Sequence, residues 1–296
     1  MVCLAIFVSQ FYQMKIYQLP DEFFNRQDEL FLHYYESCKD EQKNKVTFNT
    51  NLFSFLLEGE KIAFYPGGSV TINNTRALLI RSGNCLMTEH VSHNNRYRSV
   101  LLFFTDNKIQ EFILRYKHLM PAEGGTRNAD PVFSFEKNGL LNDMVRQLEQ
   151  ILIGKQQLSV AMLQLKFEGI MLCLLETYPR AFADLFMSNA VNKADTFFRT
   201  VVESNINNNL SLQELAFLCN TSLSTFKRQF EKIYGIAPSK WIQEQRMQQA
   251  AFKLKHERVR PSDIYFEYGY ENLSGFIQAF KKEFGKTPGE YVKLDG

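Results

Sequence analysis

Phenylalanine pairs with helical spacing mark the last third of the chain. Phe226 and Phe230 stand four residues apart, and so do Phe276 and Phe280, which places each pair on one face of a helix. A glycine and then a proline follow each pair, as is typical of a helix that ends in a left-handed residue. The pattern predicts two helices, each with an apolar face against a core and a polar face turned outward.

Both predicted helices belong to a longer repeat in which the two copies are offset by 50 residues. The match extends over six positions, including glycines and prolines, in a chain with only 15 Gly and 8 Pro. It therefore indicates a duplicated supersecondary unit. The paired positions are Ser224 and Ser274, Phe226 and Phe276, Phe230 and Phe280, Gly235 and Gly285, Pro238 and Pro288, and Trp241 and Tyr291.

A short helix is predicted just ahead of the first copy. Ser211 and Glu214 have the spacing of a capping box, in which each side chain accepts from the other residue's backbone N–H. This helix is expected to end near Asn220, because asparagine tolerates the left-handed conformation. The first copy therefore predicts a helix-turn-helix unit.

The second copy repeats this arrangement with weaker signals. Pro261 suits a helix start, Gly269 a turn and Asn272 a helix cap. Residues 239–257 predict a connecting helix of about 18 residues, or ~27 Å at 1.5 Å per residue. One turn of DNA is ~34 Å long, so two helices joined in this way could reach successive major grooves.

Short apolar or β-branched runs separated by turn signals occupy residues 46–104. They predict several strands that form a small antiparallel barrel. The predicted strands run from Val46 to Leu57, Lys61 to Tyr65, Val70 to Ile72, Arg76 to Ile80, Cys85 to Thr88 and Ser99 to Phe104.

Helical periodicity returns after a polar, glycine-containing loop at residues 121–131. Residues 140–152 predict an amphipathic helix, and residues 160–178 predict a second, mostly apolar one. The apolar faces of these two helices are expected to pack on the barrel. Apolar surface that the barrel leaves uncovered favours a homodimer through helices at about 138–178.

These patterns predict an α+β chain with two domains. The N-terminal domain is expected at residues 1–187, with the barrel at about 15–120 and the helices at about 138–187. A polar linker at 188–195 then leads to an all-α domain at 196–296, in which a linker helix joins two helix-turn-helix units.

Charge changes this picture only slightly. The net charge is +2, and residues 199–296 carry 14 Lys and Arg against 11 Asp and Glu. Because this domain is only weakly basic, its nonspecific affinity for DNA phosphates should be modest. Tight binding then requires two reading helices per chain and two chains per site.

The region from about Asp195 to Leu294 resembles the DNA-binding domain of the AraC/XylS family of bacterial transcription regulators. The resemblance covers about a third of the chain. In the first unit it rests on Leu212, Leu215, Ala216, Ser222, Ser224, Phe226, Arg228, Phe230, Gly235, Pro238, Arg246, Ala250 and Leu254. In the second unit it rests on Ile264, Gly269, Ser274, Phe276, Phe280, Lys281, Phe284, Gly285, Pro288 and Tyr291.

The resemblance implies that the second helix of each unit enters the major groove. The side chains that point away from the phenylalanines would then read bases, and nearby lysines would contact phosphates. The expected base-reading residues are Ser224, Lys227, Arg228, Ser274, Ile277 and Gln278. The expected phosphate contacts are Lys232, Lys240, Lys281, Lys282 and Lys286.

Two positions depart from the family pattern. Tyr265 replaces a small alanine, which should push two helices apart or rearrange the local core. Gln278 replaces the arginine that is usual in the second reading helix. The second unit is therefore expected to be the weaker reader, or one with a different specificity.

For the rest of the chain, the resemblance implies a cupin-like sensory barrel with dimerising helices. It also implies a cytoplasmic, nucleoid-associated activator that contacts RNA polymerase, with an unidentified small-molecule or protein effector. The alternative is a cupin-type enzyme or small-molecule binding protein whose C-terminal helices form an interaction module. Phe48, Phe53, Phe55 and Phe64 could line a ligand site in the barrel, although core packing is the favoured role for any single one of them.

No catalytic residue, metal site or cofactor is predicted. Glu89, His90 and His93 lie close in sequence but lack the spacing of a cupin metal site. Five cysteines without a Cys-x-x-Cys pair indicate buried free thiols in a reducing compartment. The apolar start lacks the features of a signal peptide and is too short to span a membrane, and Met14 is an alternative start to Met1.

Overall fold

The computed structural model describes residues 16–21, 28–121, 130–187, 194–257 and 259–293. The predicted start at Met14 and residues 188–193 of the predicted linker lie outside these ranges. Within the described part of the chain, no helix is long and apolar enough to cross a membrane.

The N-terminal domain contains two five-stranded sheets, the form taken here by the predicted antiparallel barrel. Their strand orders are β1-β3-β8-β5-β6 and β10-β7-β4-β9-β2. Neighbouring strands are antiparallel except β1 and β3, which are parallel. The strands are β1 (Ile16–Leu19), β2 (Leu30–Ser37), β3 (Glu41–Phe48), β4 (Asn51–Glu58), β5 (Glu60–Tyr65), β6 (Gly68–Ile72), β7 (Arg76–Ile80), β8 (Gly83–His90), β9 (Tyr97–Phe104) and β10 (Val132–Glu136).

One predicted strand is in fact two. The run from Val46 to Leu57 was expected to be continuous, but it is divided between β3 and β4, which lie in different sheets. The break falls at the polar residues Asn49 and Thr50, and the run is apolar beyond it because β4 is buried on both faces. Leu52 and Leu56 face the other sheet, whereas Phe53 and Phe55 face helices.

Four helices cover the outer face of the second sheet: α1 (Asp106–Arg115), α2 (Gly139–Ile153), α3 (Val160–Thr177) and α4 (Pro179–Phe186). The two predicted helices correspond to α2 and α3, and Asn138 and Ser159 cap their first turns. The pattern predicted neither α1 nor α4 as a separate helix. The apolar faces of all four meet the sheet in one core.

The C-terminal region is helical and contains α5 (Ala194–Ser204), α6 (Leu212–Leu218), α7 (Leu223–Tyr234), α8 (Pro238–His256), α9 (Pro261–Ile264), α10 (Leu273–Phe284) and α11 (Pro288–Lys293). It has two separate cores. The first lies among α5, α6 and α7, and the second among α8, α9, α10 and α11.

The outer face of the first sheet is covered by the first of these helical cores. Phe64 and Leu86 point outward from β5 and β8 and pack with Phe198, Val202 and Leu215. Their neighbours Ala63 and Met87 point inward, as the alternation of a strand requires. The molecule is thus layered in the order helices, sheet, sheet, helices.

Candidate nucleic-acid interface

The first helix-turn-helix unit consists of α6 and α7. Ser211 and Glu214 form the predicted capping box: the Ser211 N–H donates to Glu214 Oε2 at 2.7 Å, and the Glu214 N–H donates to Ser211 Oγ at 3.3 Å. Asn220 follows α6 with a φ of +54°, so the turn lies where the sequence predicts it. Ser222 caps α7 through the Thr225 N–H.

The second unit consists of α9 and α10, and its turn also lies at the predicted place. Gly269 is left-handed, with a φ of +81°. Asn272 caps α10 by accepting from the Gly275 N–H at 2.8 Å. Regular helix ends at Ile264, however, and residues 265–269 form turns, so α9 has 4 residues where α6 has 7.

Tyr265 lies at the point where α9 ends. Its side chain is half-buried against the second core and meets Phe266 edge to face, with ring centroids 5.9 Å apart. Tyr265 itself keeps helical dihedrals, with a φ of −55° and a ψ of −36°, and its N–H donates to the Pro261 carbonyl oxygen at 3.2 Å. The ring is thus part of the second core at the C-terminal end of α9.

The second helices of the two units match each other closely. Both α7 and α10 have 12 residues. Each ends at a left-handed glycine, Gly235 with a φ of +77° and Gly285 with a φ of +73°. Phe226 and Phe230 are fully buried in the first core, and the corresponding pair in α10 is fully buried in the second.

Most of the proposed base-reading side chains lie on the exposed face of these helices. Exposed residues are Ser224, Lys227 and Arg228 in α7, and Ser274 and Gln278 in α10. Ile277 differs, because it is half-buried and packs on the second core. The five lysines proposed to contact phosphates, Lys232, Lys240, Lys281, Lys282 and Lys286, are all exposed.

Helix α8 joins the two units, as predicted for residues 239–257. It has 19 residues and begins at Pro238. Met247, Ala250, Ala251 and Leu254 face the second core. Helix α8 thus connects α7 and α10 within one helical domain, and each of these two helices has an exposed polar face.

Sequence reasoning missed how closely this domain contacts the first sheet. Asn84 in β8 donates from Nδ2 to the carbonyl oxygen of Phe217 at 2.7 Å. The ammonium group of Lys45 lies 5.7 Å from the centroid of the Phe217 ring. Phe64 on β5 and Leu86 on β8 are apolar residues on the outer face of the sheet. Apolar residues at these outward-facing positions were the sequence feature that could have indicated the contact.

A cavity of about 170 Å³ lies in the N-terminal domain. Leu52, Met87 and Leu101 form part of its apolar wall, and Glu89 and Lys61 lie on its polar side. Lys61 Nζ is 3.5 Å from Glu89 Oε1 and 3.0 Å from Ser54 Oγ. The cavity therefore combines apolar walls with a buried ion pair.

Of the four phenylalanines considered as its lining, only one is placed there. Phe48 lines the cavity. Phe53 and Phe55 pack under the helices of the N-terminal domain, and Phe64 packs against the DNA-binding domain. Core packing therefore explains three of the four.

Cysteines and histidines form no reactive cluster among the residues that the structure describes. Cys38 is exposed, contrary to the expectation of buried thiols, whereas Cys85 is buried and its pKa is raised to about 12 by loss of solvent. His90 lies 3.3 Å from Asp40. No group of three His, Cys, Asp or Glu side chains in this part of the chain could hold a metal ion.

Two family models match the chain, one in each domain. Residues 51–185 match the ExsA N-terminal regulatory domain, and residues 215–294 match a helix-turn-helix domain. The chain thus joins a regulatory domain to a helix-turn-helix DNA-binding domain. This combination of domains is that of AraC-type transcriptional regulators, in agreement with the resemblance of residues 195–294 to the AraC/XylS family.

Several characterised regulators are similar in sequence. The virulence regulon transcriptional activator VirF of Yersinia enterocolitica is 28% identical over 160 residues, which are 54% of this chain and 59% of VirF. The thermoregulatory protein LcrF of Yersinia pestis is 27% identical over 62% of this chain and 67% of LcrF. The HTH-type transcriptional regulator ExsA of Pseudomonas aeruginosa is 24% identical over 79% of this chain and 82% of ExsA.

A solved structure is similar to this chain at lower sequence identity. An apo form of a ToxT variant from Vibrio cholerae is 16% identical and covers 90% of this chain and 97% of its own, with a TM-score of 0.41.

Proposed function

We propose that this protein is a sequence-specific transcription activator that binds promoter DNA through α7 and α10. The observation that carries this proposal is the matched pair of 12-residue helices, each of which buries its phenylalanines and exposes polar side chains. Activation, rather than repression, is supported by the similarity of the chain to VirF, which is a transcriptional activator. We infer that the protein acts in the cytoplasm on nucleoid DNA, is not an enzyme and contacts RNA polymerase.

The exposed side chains of α7 and α10 have the chemistry that base reading requires. The guanidinium of Arg228 can donate two hydrogen bonds to guanine O6 and N7, and the amide of Gln278 can pair with adenine N6 and N7. Ser224, Lys227 and Ser274 flank these two residues on the exposed faces. Only the exposed part of Ile277 could reach a thymine methyl group.

The exposed lysines complete the proposed interface. Lys232, Lys281 and Lys282 lie in the last turns of the reading helices, and Lys240 and Lys286 lie in the segments that follow them. Such positions suit contacts to phosphates, which fix the register of the protein on DNA without reading its sequence.

Binding to DNA duplexes selected from a random library tests this proposal. Arg228→Ala should cost about 1 to 3 kcal/mol and relax specificity at one base pair, because a bidentate contact is lost. Gln278→Ala should act at a different base pair. Arg96→Ala is the matched control, since Arg96 is exposed between β8 and β9 and lies on neither the reading helices nor the proposed dimer contact. Undiminished binding by the Arg228→Ala, Gln278→Ala double variant would reject α7 and α10 as readers.

We also infer that two chains associate through α2 and α3. Val160 is 84% exposed and Leu165 is 62% exposed on α3, and Leu140 and Ile153 are exposed on α2. Apolar side chains exposed on neighbouring helices favour an isologous contact between two copies. A dimer would also bring four reading helices to one site, which a weakly basic domain needs for tight binding.

Sedimentation equilibrium tests the dimer. The Val160→Glu, Leu165→Glu double variant should sediment as a monomer, because a dimer contact would bury both new charges. Leu114→Glu is a matched control, since Leu114 is 73% exposed but lies on α1. A double variant with the same mass as the wild-type protein would remove α3 from the contact.

We infer that the activator is controlled through its N-terminal domain, by a small molecule or by a protein. The cavity supports a small molecule, because it pairs an apolar wall with the polar groups of Lys61 and Glu89. Because the cavity could hold a small molecule, it also supports the alternative function, a cupin-type enzyme or small-molecule binding protein whose C-terminal helices form an interaction module. Selection of a defined DNA sequence by the purified protein distinguishes the two.

A further inference from the structure

Residues 205–209, here called the junction loop, connect α5 to α6 and contain four asparagines. The loop is tied to the N-terminal domain by side-chain hydrogen bonds. Asn205 is buried and donates from Nδ2 to the carbonyl oxygen of Tyr65 at 3.1 Å. Ser69 donates from Oγ to Asn208 Oδ1 at 2.9 Å.

Lys43 makes a further tie from strand β3. The register of β3 against β8 shifts between Glu41 and Asn44, and Lys43 takes up a left-handed conformation with a φ of +48°. Its ammonium group donates to the carbonyl oxygen of Asn209 at 2.7 Å and lies 3.9 Å from Glu214. A β-bulge re-aims a side chain in this way, and here it aims Lys43 at the junction loop.

The same loop also holds the linker helix α8. Arg246 donates from Nε to the carbonyl oxygen of Ile206 at 2.7 Å, and Asn207 donates from Nδ2 to Gln249 Oε1 at 2.6 Å. Burial lowers the pKa of the Arg246 guanidinium. Because this group is largely removed from water, its hydrogen bond to the loop is costly to lose.

The turn of the second unit lies against the other side of Arg246. A Cβ atom built on Gly269 would be 2.7 Å from Arg246 Nη1 and 2.9 Å from Asn209 Oδ1. Only glycine leaves room for this approach, and its φ of +81° also favours glycine. The junction loop, the linker helix and the second turn therefore meet at one place.

We propose that Arg246 and Asn207 are positioning residues that fix the orientation of the two reading helices relative to each other, through a junction loop that is itself tied to the N-terminal domain. A fixed orientation allows both helices to bind DNA only when their two target segments have one separation and one rotational phase. This proposal rests on the proposed function, since it assumes that both α7 and α10 read DNA.

The experiment uses full-length protein and a duplex selected by the wild-type protein from a random library. One, two or three base pairs are inserted between the two contacted segments, and each insertion rotates one segment by about 35°. The wild-type protein should lose about 10-fold or more in affinity with the first insertion. Arg246→Met and Asn207→Ala should each reduce that loss to about 3-fold or less, because each removes a bond between the junction loop and α8 and the units can then follow the rotated segment.

These variants are chosen so that folding is retained. Methionine keeps the apolar stem of the arginine, and Asn207 is exposed, so alanine there removes only the bond to Gln249. Arg96→Met is the control, because Arg96 is exposed between β8 and β9 and pairs with Glu36 in the N-terminal domain. It should leave the dependence on spacing unchanged.

Three results would overturn the proposal. Variants that weaken binding equally at every spacing would show a structural role alone. A wild-type protein that is indifferent to the insertions would show that the two units are not held rigidly. A wild-type protein that selects no DNA sequence would remove the proposed function, and the positioning role with it, so the two failures are distinguishable.

Discussion

The side chain of Asn84 bonds to both domains at once. Its Nδ2 donates to the carbonyl oxygen of Phe217 in α6 at 2.7 Å, while its Oδ1 accepts from the hydroxyl group of Thr47 in β3 at 2.8 Å. A side chain in the first sheet thus satisfies a backbone group at the C-terminal end of α6, where carbonyl groups lack partners within the helix.

Asn84→Ala should lower the free energy of unfolding by about 1 kcal/mol. The Phe217 carbonyl, which also accepts from the Asn220 N–H at 2.9 Å, loses its second donor, and the Thr47 hydroxyl group loses its acceptor. Urea unfolding measures this change. Asn94→Ala is the matched control, since Asn94 is exposed and makes only a 3.5 Å contact with Glu58. Equal effects of the two substitutions would argue against a stabilising contact between the domains.

The left-handed glycine at the end of α7 gives a prediction about backbone strain alone. A Cβ atom on Gly235 would meet nothing within 4 Å, but the φ of +77° disfavours an L residue. Gly235→Ala should therefore cost about 1 to 2 kcal/mol, and Gly235→Asn should cost less. Thermal unfolding measures both. Gly289→Ala, also without a neighbour but in helix α11, should not destabilise the protein.

Salt dependence separates phosphate contacts from base contacts. Lys282→Gln should weaken binding to all DNA sequences alike and reduce the slope of log K against log salt by about 1. The base preferences of the protein should stay the same. Lys117→Gln, an exposed lysine that follows α1 in the other domain, serves as the control. A changed base preference in Lys282→Gln would instead make Lys282 a reader.

The buried pair of Lys61 and Glu89 should be sensitive to the loss of one partner. Glu89→Leu leaves the Lys61 ammonium, which is 4% exposed, without its counter-charge and should cost about 3 to 5 kcal/mol. The Lys61→Met, Glu89→Leu double variant should recover most of that loss. Urea unfolding of the three proteins forms the test, and a double variant as unstable as Glu89→Leu would contradict it.

Lys137 should make stability depend on alkaline pH. Burial lowers its pKa from 10.5 to about 8, so the unfolded chain binds more protons than the folded one between these values. Stability should therefore rise as the pH increases from about 8 to about 10.5, because deprotonation removes the cost of burying the charge. Subtracting the unfolding free energy of Lys137→Met at each pH isolates this contribution. A pH-independent difference would count against it.

The helical units could be predicted in detail because their signals are local. The capping box of Ser211 and Glu214 and the left-handed residues at Asn220 and Gly235 each depend on neighbours within a few positions. The same is true of Gly269 in the second unit. Such residues determine where a helix begins and ends whatever the rest of the chain does.

The contacts between domains could not be predicted in this way. Lys43 reaches Asn209 across 166 residues, and Asn84 reaches Phe217 across 133. No local pattern specifies which exposed lysine or asparagine finds a partner at such a separation. The division of residues 46–57 between two sheets is a different case. Asn49, Thr50 and Asn51 interrupt the apolar run, so a local polar signal for the break was present and was missed.

The equal length and matched ends of α7 and α10 have a consequence for how such a protein can evolve. Caps and buried phenylalanines hold each helix in place, while the side chains that would meet DNA contribute little to either core, Ile277 excepted. Substitutions at Arg228 or Gln278 can therefore accumulate under selection for a new promoter without a compensating change in the scaffold. Each half of the operator can drift separately, and a regulator of this design can acquire new target genes one half-site at a time.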